Sequence, residues 1–154
     1  MPITLRRAFD VRRPVDDVWR FLTDPHRIAE CIPGAHLLDI VDGSFTGSVD
    51  LKLGPFGTTL EGEAGFEEID RAGHMVLMAA QAQEVEDDGQ AELRMRSRLL
   101  ELDDSGTRVD VHLGVRLSGR LSGPIVSHVL GGAAEIMFRR FSACVRKRLE
   151  ETGD

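Results

Sequence analysis

The chain of 154 residues has no tyrosine, one tryptophan and only two cysteines. Without tyrosine, one proton-transferring side chain is missing from any catalytic scheme. Cys31 and Cys144 stand at no metal-site spacing, and no positively charged, apolar leader opens the chain. Those two absences point to reduced thiols and a cytoplasmic protein. No apolar run approaches the roughly 20 residues of a membrane span, so solubility is expected. An excess of positive charge is lacking too. The net charge is −7, and nucleic acid is a poor partner for a chain without a basic face to neutralise phosphates.

Recognisable catalytic patterns are equally scarce. The five histidines (His26, His36, His74, His112, His128) are scattered without metal-ligand spacing, so no metal site is expected. There is no nucleophile elbow, phosphate loop, dinucleotide fingerprint or paired-cysteine motif. Most carboxylates fall on outward positions, where an ordinary pKa gives no acid catalysis at neutral pH.

With 42% hydrophobic and 29% charged residues, the chain fits one domain, residues 1–154, with a substantial core. Its charge is unevenly spread. Residues 61–104 hold 13 acidic and 4 basic side chains, a balance of −9, whereas residues 120–154 hold 6 basic and 4 acidic, a balance of +2. The late cluster Arg139, Arg140, Arg146, Lys147 and Arg148 suits the negative end of a helix. It also leaves room for transient contact with an acidic membrane surface, which would put the protein peripherally at the inner membrane face.

The order of elements is legible from periodicity. ITLRRAFDV reads as a strand. RRPVDDVWRFLTD follows, with Pro14 at a helix start and Val15, Val18, Trp19 and Leu22 at helical spacing. In DPHRIAECIPG, Asp24 caps and Pro25 opens a helix of about two turns that Pro33 and Gly34 stop. From about residue 35 to 118 the period becomes two. SFTGSVDLKL, TLEGEAGFEE, AELRMRSRLLE and RVDVHLGVRL each set apolar or small residues against charged ones, and VDGS, DRAG, EDDG and DDSG read as turns between strands. HMVLMAAQAQ is apolar on both faces at first, so its orientation stays open. From about Ile125 to Glu151 a long helix carries Val126, Leu130, Ala133, Met137, Phe141, Cys144 and Val145 on one stripe. A sheet with one apolar face needs a covering layer, and the last helix is the only large one on offer. The expected fold is therefore α+β: a curved antiparallel sheet of about seven strands wrapped round the C-terminal helix, with two short helices between strands 1 and 2.

The inner face is unusually rich in small residues: Gly47, Gly62, Ala64, Ala91 and Ser97 on strands, and Gly131, Gly132, Ala133 and Ala134 on the helix. Two adjacent mid-helix glycines cost about 1 kcal/mol each relative to alanine. Either room is needed there for an apolar ligand, or small residues let helix and sheet approach closely. Cys31 lies near a helix C-terminus, which disfavours a thiolate, so it reads as a packing or cavity-mouth residue. The short helix then reads as part of a lid.

The DPxxxxxCIPG segment (Asp24, Pro25, Cys31, Ile32, Pro33, Gly34), the LKLGPFGTTLEGE strand pair and the glycine-rich entry GGAAEIMFRRF together resemble the family of the carbon monoxide dehydrogenase G subunit. That family sits within the START and polyketide-cyclase-like (SRPBCC, helix-grip) superfamily. The resemblance implies a hydrophobic cavity and an accessory role beside a molybdenum hydroxylase of the carbon monoxide dehydrogenase type, with recruitment of that enzyme to the membrane or carriage of a lipid quinone. Longer members continue into a tail that reaches the membrane; the present sequence stops at Asp154, so binding is expected rather than tail anchoring. The candidate cavity lining is Trp19, Leu22, Ile32, Leu51, Leu60, Gly62, Ala64, Phe66, Met78, Leu93, Met95, Ser97, Val111, Leu113, Leu130, Ala133, Ala134, Met137 and Phe141, with Cys31, Pro33 and Gly34 at its mouth. No catalytic residue and no covalent cofactor are expected, and the reversible ligand is an isoprenoid quinone or another lipid. The alternatives are a surface-acting assembly or recruitment adaptor, and a cyclase or hydrolase that would need a buried acid–base pair.

Overall fold

The computed structural model describes residues 2–53 and 55–152. Strand β1 (Ile3–Val11) leads into two short helices, α1 (Val15–Leu22) and α2 (Pro25–Cys31). Six strands follow in succession: β2 (Ala35–Val41), β3 (Ser44–Leu53), β4 (Phe56–Asp70), β5 (Met75–Glu84), β6 (Gln90–Glu101) and β7 (Thr107–Ser118). A 3-10 turn at Gly119–Ser122 then opens into α3 (Pro124–Thr152). Twenty-nine residues at 1.5 Å each make α3 roughly 44 Å long.

The strands lie in the order β1-β7-β6-β5-β4-β3-β2, every neighbouring pair antiparallel. The meander β2 to β7 is built from consecutive hairpins, while the first strand closes the far edge beside the last. Asp42 and Gly43, both at positive φ, make the tight turn between β2 and β3 that a right-twisted hairpin favours.

Cross-strand partners share a face of the sheet, so the register defines its inner surface row by row. Ile3, Val115, Leu93, Ala80, Ala64 and Phe45 form one row, and Leu5, Leu113, Met95, Met78 and Phe66 the next. A third row reads Leu117, Ala91, Ala82, Gly62 and Gly47. The orientation left open for HMVLMAAQAQ is thereby fixed: Val76, Met78, Ala80 and Ala82 face inward.

The backbone of α3 approaches β1 at one edge and β3 near the other most closely. The sheet therefore bends round the helix, and its middle strands stand further back. Helices α1 and α2 close one end. Val15, Val18, Trp19, Phe21 and Leu22 of α1 are buried, with Asp16 and Asp17 in the first turn, where negative charge suits the helix dipole. The Asp24 side chain caps α2 by accepting from the His26 amide at 3.0 Å.

Candidate functional site

The buried core is divided. One cluster gathers Phe9, Val11, α1, Val76, Leu99, Val109, Val111, Val145 and Leu149 at the end closed by the short helices, with Phe66, Met95, Phe138 and Phe141 at its rim. A smaller one gathers Leu117, Leu121 and Leu130 at the other end, with Ile3, Leu51, Phe56, Leu60, Ala91, Val115 and Val126 against it. Ala64, Met78, Leu93, Leu113, Ala133, Ala134 and Met137 belong to neither cluster. They lie between the two, on the inner face and on the helix stripe that faces it. Met78 and Ala133 are buried, whereas Ala64, Leu93, Leu113, Ala134 and Met137 are only half-buried. A packed interior of native density would cover all of them.

The remaining candidates divide between the flanking clusters and the closed end. Trp19, Leu22 and Val111 lie within the first cluster, and Ser97 is paired between Val76 and Val111. The Trp19 ring packs edge-on against His74 at 6.0 Å between centroids. Leu51, Leu60 and Leu130 belong to the second cluster. Ile32 and Pro33 are half-buried past the end of α2. Gly34 is exposed at φ +78°, and a Cβ there would lie 2.3 Å from the Asp50 carbonyl oxygen, so a backbone turn demands this glycine.

The small residues turn out to serve different purposes. A Cβ on Gly62 would fall 1.9 Å from the Gln81 carbonyl oxygen; this glycine lets β4 and β5 come close. A Cβ on Gly131 or Gly132 would meet nothing within 4 Å. Neither glycine serves close packing: Gly132 is exposed to solvent, so the expectation that it lines the inner face is not met, and Gly131 is half-buried.

The expectation of reduced thiols, with Cys31 at a cavity mouth, is overturned. Cys31 is 4% exposed and forms a disulfide with Cys144, their Cα atoms 5.5 Å apart. The bond fastens the end of α2 to α3. It joins residues 113 apart in sequence, a proximity that only the folded chain creates.

Two polar groups on the inner face escaped the sequence reading. Glu84, whose side chain is 1% exposed, accepts hydrogen bonds from Thr58 Oγ1 at 2.5 Å, the Gly89 amide at 3.1 Å and the Arg120 guanidinium. The Arg120 bonds, more than the other contacts, hold its carboxyl below the usual glutamate range. Arg120 in turn lies over the Phe56 ring at 5.1 Å. The second group is Arg7, paired across the β1–α3 gap with Glu135 through two bonds of 2.9 and 2.7 Å. Its signal was available: Arg7 falls in phase with Ile3, Leu5, Phe9 and Val11 on the inward side of β1.

Among the described residues, no group of three His, Cys, Asp or Glu side chains is placed to hold a metal. No helix among them is long and apolar enough to cross a membrane. A depression of about 430 Å³ lies on the outer face of the sheet, between Glu61, Glu63, Gln81, Gln83 and Glu92. One of about 180 Å³ lies between α2 and β2.

The family model for the G subunit of carbon monoxide dehydrogenase (CoxG) matches residues 8–150. The chain belongs to the CoxG family. No curated protein matches it in sequence. Among solved structures, a conserved protein from Geobacillus kaustophilus superposes with a TM-score of 0.84 at 16% identity, over 99% of this chain and 97% of that one. A START superfamily protein from Mycobacterium smegmatis gives 0.66 at 13% identity over 97% and 98%. The Zhui aromatase/cyclase from Streptomyces sp. R1128 gives 0.61 at 14% over 97% and 96%. At these identities the likeness is one of fold: this CoxG chain has the START-like helix-grip architecture, with its sheet curved round α3.

Proposed function

We propose that this CoxG-family protein binds an apolar small molecule between the middle strands and α3, and that the ligand is an isoprenoid quinone or comparable lipid. The observation that carries the reading is the divided core, with half-buried Ala64, Leu93, Leu113, Ala134 and Met137 between two packed ends. Burying an apolar tail there gains about 25 cal/mol per Å² removed from water. The Arg7–Glu135 pair at the β1 edge supplies polar groups that would orient a head group. We further propose an accessory role beside a molybdenum hydroxylase of the carbon monoxide dehydrogenase type, a reading supported by the family match over residues 8–150.

The test is a titration of the purified protein with a short-chain ubiquinone, followed by quenching of Trp19 fluorescence. Ala64→Phe fills the space between the clusters and should abolish saturable quenching while the protein stays folded, because an open site accepts volume that a packed core rejects at about 1–3 kcal/mol. A parent that shows no saturable binding, together with an Ala64→Phe protein that unfolds, would show the space to be ordinary packing.

A cyclase reading draws on the aromatase/cyclase neighbour and on Glu84. That carboxylate, however, is committed to Arg120, Thr58 and Gly89, and with its pKa lowered it holds no proton to donate near neutrality. Its geometry suits a fastener between β5 and the turn that introduces α3.

A further inference from the structure

The outer face of the sheet carries charge in stripes. Along β4 from Glu61 to Asp70 the outward side chains are Glu61, Glu63, Glu67, Glu68 and Asp70, all acidic. Along β5 they are Met75, Leu77, Ala79, Gln81 and Gln83, none charged, and Met75, Leu77 and Ala79 are half-buried. Along β6 come Arg94, Arg96 and Arg98, with Glu92 beyond them. The register sets Glu68, Leu77 and Arg96 in one row, and Asp70, Met75 and Arg98 in the next. Glu67, the extra residue of the β4 bulge, is bound to Arg94. Among the described residues, Glu68, Arg96 and Arg98 have no ion-pair partner within the chain.

We infer that this face is a self-complementary docking surface for a second copy of the chain. Consider a two-fold axis parallel to β5 and lying between two stacked sheets. It sets β5 against the partner's β5, and each β4 against the partner's β6, because β4 and β6 flank β5 at equal spacings of about 4.8 Å. Levels along the strands are preserved, so Glu68 meets the partner's Arg96 and Asp70 meets the partner's Arg98. Each contact occurs twice, as an isologous interface requires. Met75, Leu77 and Ala79 form the apolar centre, and sheets stacked about 10 Å apart bring such side chains into contact. The other two-fold, perpendicular to the strands, would oppose β4 to β4 and is excluded by like charge. Past Ala79 the same axis would bring Glu63 toward the partner's Glu92, so the attractive contacts are confined to the Met75–Leu77 end of the strands.

The experiment is sedimentation equilibrium on the full chain at low salt, across protein concentrations. The expected result is a reversible monomer–dimer equilibrium whose dissociation constant rises at least tenfold for Arg96→Glu, for Glu68→Arg and for Leu77→Glu. Combined in one chain, Glu68→Arg and Arg96→Glu should restore dimerisation, since the reversed pair forms again at both copies of the contact. Circular dichroism checks that each variant is folded, and a variant that fails this check is replaced by Arg98→Glu, whose side chain is exposed. A monomer at every concentration overturns the inference. So does a dimer indifferent to these substitutions, or a double variant no better than the singles.

Discussion

Replacing Gly131 and Gly132 by alanine tests directly what the middle of α3 is for. Both glycines lie inside a 29-residue helix and neither has positive φ, so alanine fits their backbone without strain. A methyl at either site meets no atom within 4 Å. The helix propensity difference of about 1 kcal/mol per site then goes uncancelled, giving about 2 kcal/mol for the pair. For a chain of this size each 1 kcal/mol raises Tm by roughly 2–4 °C, so the double variant should melt roughly 4–8 °C higher. Thermal unfolding of the ligand-free protein by circular dichroism measures this. Gly132 is exposed to solvent, so Gly132→Ala by itself should leave binding of a short-chain ubiquinone unchanged. A melting temperature that falls or stays put would refute the reasoning, because it would mean that the glycines are packed against something or that the helix bends at them.

Three other outcomes are expected. Glu84→Gln should cost about 1–3 kcal/mol in urea unfolding at neutral pH, since it removes charged bonds to Arg120 and the hydroxyl of Thr58. Because the folded-state pKa of Glu84 is lowered, its contribution is complete above the ordinary glutamate value of 4.5 and is lost as pH falls through the folded-state value; the stability difference between parent and variant should therefore shrink on acidification, and a difference independent of pH would contradict the ion-pair account. Reduction by a dithiol, or Cys31→Ser with Cys144→Ser, should lower stability by about 2–5 kcal/mol, the usual range for a native disulfide, and hydrogen exchange should quicken in α2; unchanged unfolding with and without reductant would mean that the thiols are free in solution.

Much of the architecture could be read from alternation and caps because those signals are local. The strand ITLRRAFDV and the aspartate-capped helix at Pro25 carry their own boundaries. Features that depend on a distant neighbour could not be read. Gly62 has the same appearance as Gly131 in the sequence, yet one is required by the backbone of β5 and the other faces open space. Ala80 and Ala82 were missed as inward residues because HMVLMAAQAQ begins with apolar side chains on both faces. Glu84 was hidden by its setting: it precedes VEDDG, and a glutamate beside a turn looks solvated until Arg120, which lies beyond two further strands, is seen to reach it. Cys31 was misjudged for the same reason. Of the candidate region, the inward side of Ala64 on β4 was legible from alternation, whereas the split of the core round it shows only when the strands are in register.

The pairing of β1 with β7 also bears on how the chain emerges from a ribosome. Val11 must wait for Thr107, and Ile3 for Val115, before the first strand has a neighbour. At synthesis rates of about 5–20 residues per second, that delay is roughly 5–20 s. The hairpins from β2 to β7 need only adjacent segments and can close as they appear, since short-range contacts cost little chain entropy. The amino-terminal fifth of the nascent protein therefore spends those seconds with its apolar side chains uncovered, and so the beginning of the chain is where a chaperone would be needed.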